Sequence, residues 1–269
     1  MRERPDLSVV IPAYNEEARL EPTLREAAAY LRARGIRAEL AVVDDGSRDR
    51  TGPLVLRLAE ELDEVRLIRL PANRGKGYAV RTGVVNARGR AVLFADADGA
   101  TPIAELARLE AALEAGADAA IGSRALAGEG TRVRARLHRR LIGRAFHLLA
   151  SSLAVRGYHD TQCGFKLFRA ATAHDLFSRM RMDGFSFDVE LLLMARRRGY
   201  RVDEVPVSWT HIPGSRVSLV RDSARMAADL FVIRARALRG DYDRPHLAPL
   251  ADPAEPALAP AAALAAGDG

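Results

Sequence analysis

Short apolar runs alternate with segments of helical period through the first half of the chain. Residues 7–11, 39–43, 65–70, 91–95 and 118–121 read as strands, and 91–95 is a continuous apolar run, the pattern of a strand buried on both faces. Between them, residues 16–34, 51–62, 77–87 and 103–115 carry apolar positions three and four apart, which predicts amphipathic helices. Such β-α-β alternation predicts a mostly parallel central sheet with helices on both faces, an α/β fold.

After Gly122 the rhythm changes. Residues 131–156 and 218–239 read as long basic helices, 164–168 and 201–209 as strands, and 188–198 as a further helix. From about residue 246 the chain is rich in Ala and Pro and lacks aromatics. We therefore expect one domain over residues 1–245 and a disordered tail over 246–269.

Composition narrows the field. The single cysteine, Cys163, excludes an internal disulfide framework and a four-thiolate zinc site. Residues 1–6 lead directly into a strand, so no secretory leader is expected. No apolar run approaches the roughly 20 residues that cross a bilayer, which predicts a soluble or peripheral protein. The formal net charge is +6, yet of 41 basic residues only Lys76 and Lys166 are lysines. Both lie in glycine-containing motifs.

Candidate chemistry gathers at the predicted strand ends. The run 91–95 ends in Asp96-Ala97-Asp98-Gly99. Two carboxylates there suit a hard divalent cation, Mg2+ or Mn2+, that also grips phosphate oxygens; the alternative is an Asp-rich turn capping the next helix. Pro12, Tyr14 and Glu16 follow the first strand, where a Tyr ring beside a carboxylate suits a base and a ribose. Asp44 and Asp45 follow the second strand, as a reader of a nucleobase N–H or as turn formers. Arg74-Gly75-Lys76-Gly77 opens a helix, placing close backbone and positive charge where an anion binds. It lacks the third glycine of a dinucleotide fingerprint. Ligands of open α/β sheets bind at carboxyl ends of strands, so these groups converge on one groove for a nucleoside, a diphosphate and a metal.

Three motifs of the second half complete the picture: Gly122-Ser123-Arg124, Asp160-Thr161-Gln162-Cys163-Gly164-Phe165-Lys166, and Phe187-Asp188-Val189-Glu190-Leu191. With Ala-Asp-Ala-Asp-Gly-Ala-Thr at 95–101, they resemble inverting glycosyltransferases of the GT-A family 2, on the branch of dolichyl-phosphate β-glucosyltransferases and polyprenyl-phosphate sugar synthases. The resemblance spans roughly residues 6–220. It implies a GT-A nucleotide-diphospho-sugar transferase fold and transfer of a hexose, glucose from UDP-glucose, to a polyprenyl phosphate. It also implies that Pro12, Tyr14, Glu16, Asp44, Asp45, Arg74, Lys76 and Asp96 hold the nucleotide sugar, and that Asp96 and Asp98 hold the metal. Arg124, Gln162, Lys166 and Arg216 would then face the acceptor phosphate, with Asp98 and Asp188 as the catalytic carboxylates. Gly99-Ala100 stands where other polyprenyl-phosphate branches often carry Leu then Ser or Gln, which favours the glucosyl branch. Arg216 stands where glucosyl relatives often carry Lys.

A hydroxyl acceptor needs a general base such as Asp188, whereas a phosphomonoester with a second pKa of about 6 is already ionised. The same donor chemistry on a soluble acceptor, or a silent sugar-nucleotide-binding protein, remains open at this point. The two basic helices suit an anionic membrane surface at its cytoplasmic face. Nucleic acid is not expected, because aromatic interleaving and recognisable modules are absent.

Overall fold

The computed structural model describes residues 4–134, 155, 157–212 and 219–246. The strands are β1 (Leu7–Ala13), β2 (Ala38–Asp44), β3 (Val65–Arg69), β4 (Ala91–Ala95), β5 (Ala119–Ser123), β6 (Val133–Arg134), β7 (Phe165–Arg169), β8 (Val202–Pro206) and β9 (Trp209–Thr210). The α-helices are α1 (Leu20–Ala33), α2 (Thr51–Glu61), α3 (Lys76–Val85), α4 (Leu106–Glu114), α5 (Ala170–Arg179), α6 (Phe187–Arg197) and α7 (Leu219–Arg239).

The main sheet has seven strands in the order β3-β2-β1-β4-β7-β5-β8. All neighbours are parallel except β7, which runs antiparallel to both β4 and β5. Side chains alternate between two apolar layers, as the two-residue period of a strand requires. Val10, Val92 and Phe94 face one layer with α3, α5, α6 and α7; Val9, Ile11 and Leu93 face the other with α1, α2 and α4.

The reversed strand has a consequence for the site. With Phe165 paired to Ala95, β7 begins at the edge where β4 ends. The segment Thr161–Gly164 is thereby brought to the carboxyl ends of the parallel strands, beside Asp96.

The predicted elements need several corrections. Helix α1 begins at Leu20 rather than at residue 16, because residues 15–17 are held in a turn by Ser47, Thr51 and Asp49. Helix α5 was not expected at all. The strand expected over 201–209 stops at Pro206, and Trp209 instead joins β6 in a small parallel sheet. Val133–Arg134 is therefore a strand where the start of a long helix was expected; the remainder of that expected helix, apart from Val155, lies outside the described residues. So do Arg216 and the tail beyond residue 246. The second basic helix is present as α7.

Candidate active site

The site is built around the end of β4. Asp96 takes its backbone position from β7, donating its N–H to the Gly164 carbonyl at 3.0 Å. Its carboxylate lies directly over Gly164: a Cβ there would stand 2.0 Å from Oδ2. Lys76, the first residue of α3, reaches Asp96 Oδ1 at 2.7 Å. Burial acts to lower the Lys76 pKa, but the charges of Asp96, Asp188 and Asp98 outweigh it and hold the ammonium above its ordinary range.

Asp98 accepts the Ala100 N–H at 3.1 Å and lies 3.8 Å from Arg19. Burial and the Asp96 charge push its carboxyl above the ordinary range against the pull of Arg19 and Lys76, so further positive charge beside Asp98 would be favourable. That is the electrostatic setting of a cation site. Among the described residues no cluster of three or more His, Cys, Asp or Glu could hold an ion by itself. Two carboxylates completed by phosphate oxygens nevertheless fit Mg2+ or Mn2+, which commonly bind in that way.

Asp188, on the first turn of α6, forms a buried pair with Lys166 of β7, Nζ to Oδ1 at 2.6 Å, the side chains 3% and 1% exposed. The Lys166 ammonium also donates to the Cys163 carbonyl. Burial pushes the Asp188 carboxyl upward against the pull of Lys166 and Lys76. Lys166 and Lys76 lie 5.8 and 5.3 Å from the centre of the Phe94 ring. The two lysines of this arginine-rich chain thus meet at one aromatic ring, each with its own carboxylate.

The remaining predicted residues are placed as follows. Pro12 and Tyr14 are half-buried at the end of β1. Glu16 is paired with Arg19 through two contacts of 2.8 and 2.6 Å. Asp44 is fully buried; Oδ1 accepts the Ser47 N–H, and Oδ2 has no hydrogen-bond donor, with Arg69 Nε 3.6 Å away. Asp45 accepts the N–H groups of Arg74 and Gly75 at 2.7 and 2.9 Å, which shapes the glycine loop. Burial raises its carboxyl. Arg74 stacks on Tyr78 at 4.4 Å.

Arg124 is held by Asp160 through both oxygens at 2.7 and 2.8 Å, beneath Trp209 at 5.5 Å. Although burial opposes ionisation of Asp160, Arg124 draws its carboxyl down to about 2. Gln162 Nε2 is buried without an acceptor. Burial pushes the Cys163 thiol up to about 12, so it is a packed side chain and not a nucleophile.

Sequence reasoning missed three participants. Arg19 looked like an ordinary helix residue, and Gly164 like the first residue of a strand. Glu190 was part of a quoted motif without a role. The one signal for Gly164 was its place where a polar run meets that strand.

The glycosyl transferase family 2 pattern matches residues 8–177. The chain belongs to this family. Among its relatives, the dolichyl-phosphate beta-glucosyltransferase of Drosophila melanogaster is 42% identical over 250 residues, covering 88% of this chain and 77% of the relative. The Saccharomyces cerevisiae enzyme of that name is 38% identical over 254 residues, covering 88% and 76%. The Homo sapiens one is 40% identical over 249 residues, covering 88% and 77%. Glucosyl-3-phosphoglycerate synthase from Mycobacterium tuberculosis, crystallised with Mn2+, UDP-glucose and phosphoglyceric acid, superposes with a TM-score of 0.64. It is 20% identical and covers 86% of this chain and 80% of its own, a likeness of fold. The expected GT-A architecture is the one observed, and this family 2 member is a glycosyltransferase.

Proposed function

We propose that this chain transfers glucose from UDP-glucose to a polyprenyl phosphate of the dolichyl type, with inversion at the anomeric carbon. The observation that carries the substrate assignment is the match, over most of the chain, to relatives named for that reaction. UDP-glucose is an α-glycoside and those relatives are named for a β-product, so one in-line displacement suffices.

Asp96 and Asp98 would hold Mg2+ or Mn2+ on the diphosphate. The bound ion would offset the charge that develops on the departing UDP. Lys76 lies on Asp96 and adds a fixed positive charge on the same side. Asp44 Oδ2, buried beside Arg69 but without a hydrogen-bond donor, would accept a pyrimidine N–H once the base displaces its cover, and Asp45 keeps the Arg74–Gly77 backbone in place for the phosphates. The acceptor phosphate needs no base. Asp188, fixed by Lys166, therefore orients sugar hydroxyls, and Lys166 acts through it. Gln162 Nε2 and Arg124 are the donors for the acceptor phosphate.

Helix α7 supplies a lipid-facing surface. Its inner side buries Leu230, Ile233 and Ala237, while Phe231 and Leu238 on the outer side are 59% and 77% exposed, together with Val232. Arg225 and Arg239 lie along the same exposed stripe. No described helix is long and apolar enough to cross a membrane. An apolar stripe with an arginine margin fits the anionic leaflet of a bilayer, where the acceptor lipid resides; we assign this to the cytoplasmic leaflet.

Calorimetric titration with UDP tests the donor half. Binding that needs Mn2+ and disappears in Asp98→Ala is expected, and ion-independent binding contradicts it.

A further inference from the structure

The carboxylate of Glu190 takes no part in the chemistry above, yet it is completely buried two residues beyond Asp188. A buried ion is costly unless well supplied with donors. Glu190 has three: the N–H groups of Arg181 and Met182 reach Oε2 at 3.0 and 2.8 Å, and the Tyr242 hydroxyl reaches Oε1 at 2.8 Å. Arg236 of α7 lies 4.0 Å away.

Both partners lead somewhere. Tyr242 belongs to the segment that follows α7, and this segment is latched onto residues 178–181. Arg179 donates to the Asp243 carbonyl at 2.7 Å, Arg181 to the Asp241 carbonyl at 3.1 Å, and the His246 N–H to the Ser178 carbonyl at 2.7 Å. In the other direction, the backbone after Arg181 runs against the glycine loop. The Asp183 carbonyl accepts the Tyr78 N–H at 3.2 Å. It also stands 2.5 Å from where a Gly75 Cβ would be, as the Met182 carbonyl does for Gly77. Arg81 of α3 closes the contact, bonding the Met180 carbonyl and Asp183 at 2.9 and 3.0 Å. Lys76 therefore sits between two glycines whose missing side chains are replaced by the backbone that Glu190 holds.

We propose that Glu190 is a positioning residue for the donor site: fixed by Tyr242, it holds the 181–183 backbone and through it the loop that places Lys76 on Asp96. The inference rests on the donor reading above, because only that reading makes the Lys76 loop a diphosphate site. It also ties the donor loop to the end of the lipid-facing helix.

Hydrogen exchange and kinetics on the full chain test it together. In Tyr242→Phe and Glu190→Ala, exchange at the amides of residues 75–79 should accelerate about tenfold, the equivalent of one charge-assisted hydrogen bond. The KM for UDP-glucose should rise by a similar factor while that for polyprenyl phosphate stays constant. Glu190→Gln should behave as wild type, since its carbonyl can accept from the backbone and its amide can donate to the Tyr242 oxygen. Val55→Ala, a cavity variant in the opposite core layer, should leave these amides unchanged. Unaltered exchange at 75–79 in both disruptive variants, or equal acceleration in Val55→Ala, overturns the proposal. Exchange needs no substrate, so a wild-type protein inert toward UDP-glucose would refute the donor reading while the loop measurement still decides the coupling.

Discussion

The Asp96 carboxylate occupies the space that any side chain at position 164 would need, with Oδ2 only 2.0 Å from the position of a Gly164 Cβ. Strand β7 and the end of β4 are packed so closely that the glycine is part of the carboxylate's seat. Gly164→Ala should displace Asp96 from Lys76 and reduce kcat about 100-fold, the scale of a misplacement near 1 Å. Its thermal midpoint should stay close to wild type, because the collision falls on a movable side chain. Parallel assays and melting curves with and without Mn2+ check this; undiminished turnover would show that the seat is dispensable.

Strands β1, β2 and β4 were readable because residues 7–11, 39–43 and 91–95 are mostly apolar, and the last two run directly into aspartates. Direction is not encoded in such a run. Residues 165–169 are flanked by nothing that distinguishes parallel from antiparallel, so the reversal of β7, and with it the seat of Asp96, emerges only from tertiary pairing. Helix α5 was missed because its apolar positions are diluted by Thr172, His174 and Ser178. The Asp-x-Asp pair and the glycine loop were legible from local chemistry. The Lys166–Asp188 pair was not, since 22 residues separate its members.

That pair makes a separable prediction. Asp188→Leu leaves the Lys166 ammonium buried without its carboxylate and should cost about 3–5 kcal/mol of stability. Adding Lys166→Met should restore most of it, because two apolar groups replace two buried charges. Neither protein should transfer glucose. Denaturant unfolding together with turnover checks both halves; recovered activity in the double variant would remove the pair from the mechanism.

Asp160 predicts a pH dependence. Its carboxyl lies at about 2 in the fold against an ordinary 3.8, so the folded state binds fewer protons than the unfolded chain between these values. The Arg124 pair therefore contributes stability that is complete above pH 3.8 and is lost as pH falls through about 2. The amount is about 2 kcal/mol. Asp160→Asn should lack this acid-dependent part, so its unfolding free energy should change less between pH 4 and 2. Equal slopes for both proteins would contradict the assignment.

The outer face of α7 predicts lipid dependence. Phe231→Asp combined with Leu238→Asp removes two apolar groups worth about 1.5–3 kcal/mol each on burial. Cosedimentation with phosphatidylglycerol vesicles should fall at least tenfold, while UDP binding in solution is retained. Undiminished sedimentation would move the lipid contact elsewhere.

The central claim is tested most directly by incubating the protein with UDP-glucose, Mn2+ and a short-chain polyprenyl phosphate, and analysing the products by mass spectrometry and NMR. The account predicts UDP release equal to the formation of a β-linked glucosyl lipid phosphate. An α-linked product, or UDP release that accompanies only a soluble phosphorylated acceptor such as 3-phosphoglycerate, would contradict it.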